Sequence, residues 1–177
     1  NLNISGTNAE VAPGQWEFQI GPVAGIEAAD QLHVARFFLF RIAEEMKLNV
    51  SLAAKPYQQW NGSGCHTNFS TEETRRENGL DTIHEYVKRL SEKHRTHMAC
   101  YGSDNSQRMT GSHETSSYEH FSVGLGARDV SVRIGTETIL DKKGYFEDRR
   151  PASNCDPYVV CGKIFETCCL SDTTREE

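Results

Sequence analysis

Four side chains in this sequence have the types and settings of ligands for a hard cation: Glu10, Glu17, His66 and Glu147. Each sits where polar residues alternate with apolar ones, which puts it on the polar face of a strand. Trp16, Phe18 and Ile20 flank Glu17, and Cys65, Thr67 and Phe69 alternate with His66. In "GYFEDRRP", Glu147 shares a face with Arg149. Carboxylate oxygens with a single imidazole suit Mg2+ or Mn2+ better than zinc. One at a time, a strand glutamate is usually solvated and an isolated histidine is usually a hydrogen-bonded structural residue. Four on separate strand segments shift the balance toward a site.

Arg108, Arg128, Arg133 and Arg149 supply the complementary chemistry, since guanidinium groups hold carboxylates and phosphates in bidentate geometry. A single arginine is most simply read as a salt-bridge partner. Carboxylates and arginines on one sheet suggest a metal–phosphate–carboxylate site. No GxxxxGK[ST] run is present, and "GLGARD" at 124–129 lacks the third glycine of a dinucleotide fingerprint. A nucleotide would therefore be held by metals and arginines. His94 and His97, one turn apart on a polar helix end, are read as solvated. Cys65 neighbours His66, but adjacent strand residues point apart, which argues against a Cys–His nucleophile.

The first two glutamates raise a question of register. A turn centred on Pro13-Gly14 pairs Glu10 with Glu17, and like charges in that position destabilise a strand pair. Proline before glycine favours a type II turn, whereas tight hairpins prefer the primed types, so a wider connection is the alternative.

The elements that must position these groups follow from periodicity. Leu32, Ala35, Phe38, Leu39, Ile42 and Met46 predict a helix over 30–48, with Asp30 as its cap. "NVSLAAK" reads as a strand through Val50, Leu52 and Ala54. A glycine-containing loop, "YQQWNGSG", leads into the His66 strand. Ser70 and Glu73 have capping-box spacing, so a helix starts there, is interrupted at Asn78-Gly79 and resumes through Ile83, Val87 and Leu90. Residues 101–120 lack periodicity and read as a long loop, of a kind that in a compact domain is usually functional or disordered. "DVSVRIG" and "GYFEDRRP" are strands. Asp156-Pro157 opens an apolar final helix over 158–170. The fold class is α+β: an antiparallel sheet with helices outside and a polar face that must be wet or occupied.

Bulk composition agrees with a single globular domain: 177 residues, 37% hydrophobic and 25% charged. A net charge of −6 argues against nucleic acid as a partner. Nothing approaches an 18-residue apolar run, so no membrane partner is expected. Six cysteines without a CxxC read as reduced thiols in a cytoplasmic protein, with an organellar form as the alternative. The chain opens at Asn1-Leu2 without methionine, as a processed product or fragment would.

"GTNAEVAPGQWEFQIGP", "NGSGCHTNFST", "RMTGSHET", "SVRIG" and "GYFEDRRPASNCDP" together resemble the eukaryotic-type glutamine synthetase family, nearly end to end. The resemblance implies a curved, mainly antiparallel sheet with helices on its outer face, and makes residues 1–177 a partial C-terminal catalytic domain. It implies ATP-dependent ligation of ammonia to L-glutamate through γ-glutamyl phosphate, with ATP as co-substrate and two or more Mg2+ or Mn2+ ions per site. Glu10 and Glu17 would be ligands of one cation, which would sit between them. His66 and Glu147 would be ligands of another. Trp60, Asn61 and Gly62 would hold the α-amino end of glutamate, and Arg108 and Arg149 its carboxylates. Arg128 and Arg133 would touch the phosphates, with Arg128 also catalytic. Glu17, Asn68, Phe69, Ser70, Tyr145 and Phe146 would contact the nucleotide and its metal. Glu114, in "HET", would shield the intermediate and take a proton from ammonium. The family assembles as a homo-oligomer of stacked rings, a decamer, with active sites between subunits. Its N-terminal β-grasp domain and a strand bearing two further metal-binding glutamates are absent from these residues, so the isolated segment is expected to be inactive. Met109, Ser112 and Gly135 depart from the family pattern beside the functional positions. A γ-glutamyl-amine ligase and a non-catalytic structural relative are the alternatives; "HET" favours ammonia.

Overall fold

The computed structural model describes residues 1–170. It opens with an antiparallel hairpin of β1 (Ile4–Ala9) and β2 (Trp16–Ile20). The register corrects the expected one: Ala9 pairs with Trp16 and Asn8 with Glu17, so Glu10 and Glu17 are not opposite each other. Instead the connection is wide, closed by Glu10 N–H donating to Gln15 O (2.9 Å) and Gln15 N–H to Ala12 O (3.0 Å). Like charges do not have to face each other in this arrangement. Each glutamate takes an amide donor of its own, Asn8 Nδ2 to Glu10 (3.0 Å) and Gln19 Nε2 to Glu17 (2.9 Å).

Helix α1 (Glu27–Glu45) begins three residues before the expected start, so Asp30 lies in its first turn and is not its cap. There Asp30 accepts from Tyr158 Oη at 2.7 Å. Ala29, Ala35 and Ala43 are buried on this helix, while Phe38, Ile42 and Met46 of the expected apolar stripe are exposed. The segment 50–54 is not a strand. It is tied to loops, with Ser153 Oγ donating to Leu52 O (2.7 Å) and Ser63 N–H to Ala54 O (2.9 Å), and no neighbouring strand pairs with it.

The central sheet has the order β3 (Thr67–Phe69), β6 (Phe146–Asp148), β5 (Val132–Ile134), β4 (Val123–Leu125). β6 is antiparallel to both neighbours, while β4 and β5 are parallel. Register aligns Asn68, Glu147, Arg133 and Gly124 in one row across all the strands. Alternation sends the next residues to the other face, where Phe69, Phe146, Val132 and Ile134 meet the core. That core is completed by Ile83, Tyr86, Val87 and Leu90 of α3 (Gly79–Glu92) and by Val160 and Ile164 of α7 (Pro157–Phe165).

Short helices fill the connections: α2 (Glu72–Arg75), α4 (His94–Met98), α5 (Asn105–Arg108) and α6 (Thr136–Asp141). The capping box of α2 is Thr71 with Thr74, one residue beyond the expected Ser70–Glu73 pair. Thr74 wins because it is buried and also donates to Gly144 O (2.9 Å), a bond that Glu73 does not make. At Gly79 a Cβ would stand 2.1 Å from Thr74 O, so only glycine fits between α2 and α3. Asp156 caps α7 as expected, accepting from Tyr158 N–H at 2.9 Å, and a π-helical turn follows over Glu166–Leu170. No helix among the described residues is long and apolar enough to cross a membrane.

Candidate active site

The centre of the site is Glu147, in the middle strand of the row just described. Its Oε1 accepts from Arg149 Nη1 at 3.1 Å and lies 3.4 Å from His66 Nδ1. Arg133 Nε stands 2.6 Å from Oε2, but its N–H is not aimed at that oxygen, which is buried without a hydrogen bond. Burial opposes ionisation of Glu147, but the His66 contact and the charges of Arg149 and Arg133 outweigh it and hold the carboxyl at about 2. Glu147 is therefore a carboxylate at neutral pH, with Oε2 held by the charge of Arg133 and not by a well-aimed hydrogen bond. His66 keeps about a third of its side chain open to solvent; desolvation lowers its pKa despite Glu147, so its ring is neutral and can donate a lone pair.

Glycines bring the loop before β3 close. A Cβ on Gly64 would come within 2.8 Å of His66 Nε2 and 2.9 Å of Arg108 Nη1, and one on Gly62 within 2.4 Å of Arg108 Cγ. Arg108 enters from α5 and is buried. Its Nε donates to Asn105 Oδ1 (2.9 Å), and its Nη2 to the carbonyls of Arg149 (3.1 Å) and Arg150 (2.6 Å). Burial, then the Arg149 charge, lower its pKa to about 10, so it stays cationic. Arg149 donates from Nε to Arg128 O at 3.0 Å, fixing the backbone from which Arg128 reaches outward. Arg128 meets Glu114 at 3.6 Å, both side chains more than half exposed.

The remaining expected residues fall in three groups. Arg133, Tyr145 and Glu147 line an open cleft of about 170 Å³ with Gly126, Gly135 and Thr136. Trp60, Asn61 and Gly62 lie on the loop beside Arg108, and the hairpin docks there through Gln15 Nε2, which donates to Gly62 O (3.0 Å) and Ser63 Oγ (2.9 Å). Asn68 is exposed in the row with Glu147, and Ser70 Oγ accepts from Arg75 (2.8 Å). Phe69 and Phe146 turn their rings into the core, 5.6 Å apart, so only their backbones face the site. Among the described residues no three His, Cys, Asp or Glu side chains converge as a metal cluster. His66 and Glu147 come together; Glu10 and Glu17 do not join them in such a group. Glu147 Oε1 and the neutral His66 imidazole beside it nevertheless fit two ligand positions of a hard cation, with further ligands needed to complete it, while Oε2 is paired with Arg133.

His94 and His97, expected to be solvated, are both buried. α4 packs inward because its rings have partners there. His94 Nε2 meets Tyr118 O (2.9 Å), and His97 bridges Tyr101 Oη (2.6 Å) and Thr167 Oγ1 (2.8 Å). Behind Glu147, Asp148 and Arg150 form a fully buried bidentate pair (2.8 and 2.7 Å). The strand alternation that faced Glu147 and Arg149 outward already implied this.

One face of the sheet thus gathers an acid, an imidazole and the guanidinium groups of Arg133 and Arg149. The family model described as "Glutamine synthetase, catalytic domain" matches residues 1–168. The chain belongs to that family. A protein of Acanthamoeba polyphaga mimivirus is 58% identical over 172 residues, covering 97% of this chain and 49% of its own. Glutamine synthetases of Saccharomyces cerevisiae and Rattus norvegicus are 52% and 51% identical, covering 99% of this chain and 49% and 48% of theirs. The chain thus spans about half the length of the curated relatives it matches. A solved structure described as "GmaS/ADP complex-Conformation 1" shares the fold, with a TM-score of 0.73 at 21% identity, over 94% of this chain and 41% of that one.

Proposed function

We propose that this chain, residues 1–177, is the C-terminal catalytic part of an ATP-dependent glutamate–ammonia ligase. The observation that carries the reading is Glu147, a buried carboxylate kept ionised between His66 and the Arg133–Arg149 pair. The γ-carboxylate of L-glutamate attacks the terminal phosphorus of ATP, ADP leaves, and ammonia then displaces phosphate from γ-glutamyl phosphate. His66 and Glu147 would hold one Mg2+ or Mn2+, and Glu10 and Glu17 another, with ligands from outside this chain. When bound, these ions neutralise charge on the reacting oxygens. Arg133 is placed to turn from Glu147 toward a phosphate in the adjoining cleft, and Tyr145 lines the same cleft for the nucleotide. Arg108 and Arg149 supply cationic charge for glutamate carboxylates, beside the Trp60–Gly62 loop. Glu114 on its exposed loop is available to take the proton of ammonium. Active sites would lie between subunits of a cytoplasmic homo-oligomer of stacked rings.

Two experiments test this. In the full-length subunit, Glu147→Ala should abolish glutamate-dependent ATP turnover; unchanged turnover would overturn the assignment. The isolated 177-residue chain should show poor γ-glutamyl transfer, and normal activity there would refute the division of the site.

A further inference from the structure

We propose that Tyr101 is a positioning residue for this site: its hydroxyl, held between His97 and Asp148, locks the end of β6 that presents Glu147 and Arg149. The inference rests on the ligase reading above and adds a residue that touches neither substrate nor cation. Asp148 accepts four hydrogen bonds: from Arg150 N (3.1 Å), Nε (2.8 Å) and Nη2 (2.7 Å), and from Tyr101 Oη (2.9 Å). An ionised Asp148 obliges the tyrosine to donate its only proton to it. His97 Nδ1, 2.6 Å from the same oxygen, must then be the donor, which leaves Nε2 to accept from Thr167 Oγ1 at 2.8 Å. On the other side, Arg150 Nη1 donates to His94 Nδ1 (3.2 Å), so His94 carries its proton on Nε2 and donates to Tyr118 O (2.9 Å). The Arg150 guanidinium lies between the Tyr101 and Phe121 rings, 5.3 and 5.2 Å from their centroids. Every member therefore has one proton arrangement, and the network ties α4, the 118–121 loop and the π-helical turn to one strand.

The end of that strand is also held from α5. Asn105 Nδ2 donates to Arg150 O (2.8 Å), and Arg108 holds the carbonyls of Arg149 and Arg150. Side chains alternate across it: Glu147 and Arg149 reach the site while Asp148 and Arg150 reach the interior. A shift at Asp148 is thus transmitted to Glu147 through one peptide unit. Removing the Tyr101 hydroxyl leaves Asp148 one donor short and His97 Nδ1–H without an acceptor. The pair must rearrange, and a displaced carboxylate loses cation affinity as displaced supporting groups generally do.

The test reads Mn2+ binding to the full-length subunit by electron paramagnetic resonance, for wild type, Tyr101→Phe, Glu147→Gln, their double variant and Ile164→Val. Tyr101→Phe should weaken Mn2+ binding about tenfold and add no further loss in the Glu147→Gln background. Ile164→Val, a core change without polar partners, should lower the melting temperature and leave Mn2+ affinity alone. If Tyr101→Phe does not fold, His97→Leu, which removes the donor orienting the hydroxyl, carries the same expectation. Wild-type binding that ignores Glu147→Gln would overturn the site reading itself. Binding that responds to Glu147→Gln but not to Tyr101→Phe or His97→Leu, or an equal loss from Tyr101→Phe in both backgrounds, would overturn the positioning role alone.

Discussion

Glu147 and Asp148 are adjacent carboxylates on one strand, each paired with the arginine two residues further on, at 3.1 and 2.7 Å. Their surroundings differ in completeness. Asp148 is fully buried and both of its oxygens are spent. Glu147 is slightly open, accepts from one arginine in good geometry and keeps an oxygen without a hydrogen bond. A satisfied buried charge holds structure together and has nothing left to offer a ligand. One held by ion pairs without a full set of hydrogen bonds keeps capacity to coordinate a ligand. The two faces of β6 therefore differ, the dry face holding position and the wet face carrying the acid that the proposed ligase site would use.

Substitution should separate the faces most sharply. Asp148→Ala strands the Arg150 guanidinium in the interior and should cost about 3–5 kcal/mol, measured by urea denaturation. Glu147→Gln keeps the shape and one acceptor, and should cost about 1–2 kcal/mol while removing cation-dependent activity. Equal destabilisation by the two changes would dissolve the distinction.

Acid should attack the dry face next. Desolvation, then the Arg150 charge, depress the His97 pKa from 6.5 to about 4; Asp148 opposes this, while Lys163 and His94 reinforce it. The unfolded chain binds this proton at a higher pH than the native one does. Its stabilising contribution is therefore complete above pH 6.5 and lost as pH falls toward 4, about 3 kcal/mol in all. Denaturation midpoints across that window should slope downward in wild type and flatten in His97→Gln. A slope unchanged by that substitution would place the titration elsewhere.

On the wet face the decisive feature is space. Gly64→Ala would push a methyl group against His66 and Arg108, at 2.8 and 2.9 Å. Overpacking of this kind should cost about 1–2 kcal/mol and weaken cation binding by moving His66. Retained Mn2+ affinity in that variant would mean that His66 is not held by the close approach.

How much of this was legible in the sequence follows the same division. Parity alone puts Glu147 and Arg149 on one face of their strand, because a strand has only two sides. Asp156-Pro157 announced α7 by local hydrogen bonding. Expectations that depend on partners elsewhere in the chain fail. The 50–54 segment alternates like a strand but meets loops. Thr74 displaced Glu73 in the capping box because Gly144 O waited for its hydroxyl. The hairpin register turned on pairings a single strand cannot reveal. His94 and His97 looked solvated because the groups that satisfy them, Tyr101, Thr167, Tyr118 and Arg150, come from four other stretches of the chain.

The smallest stability effect belongs to an acid on an exposed loop. Glu114 and its neighbour His113 both adopt left-handed backbone angles, φ +58 and +54, which disfavour side chains. An ion pair at 3.6 Å between two largely exposed groups is too weak to impose that conformation. Other bonds do so: Thr115 Oγ1 reaches Ser112 O (2.7 Å) and Arg108 O (3.1 Å), Tyr118 N–H donates to Met109 O (3.0 Å), and Ser116 meets Ser131 (3.1 Å). Glu114→Gln should therefore change stability by no more than about 0.5 kcal/mol, yet lower glutamine synthesis in the full-length subunit by removing a proton acceptor. Thr115→Ala should destabilise the loop more than Glu114→Gln, by about 1 kcal/mol. If the order of these two were reversed, the Arg128–Glu114 contact would be what holds the loop, and the wet face would carry structure after all.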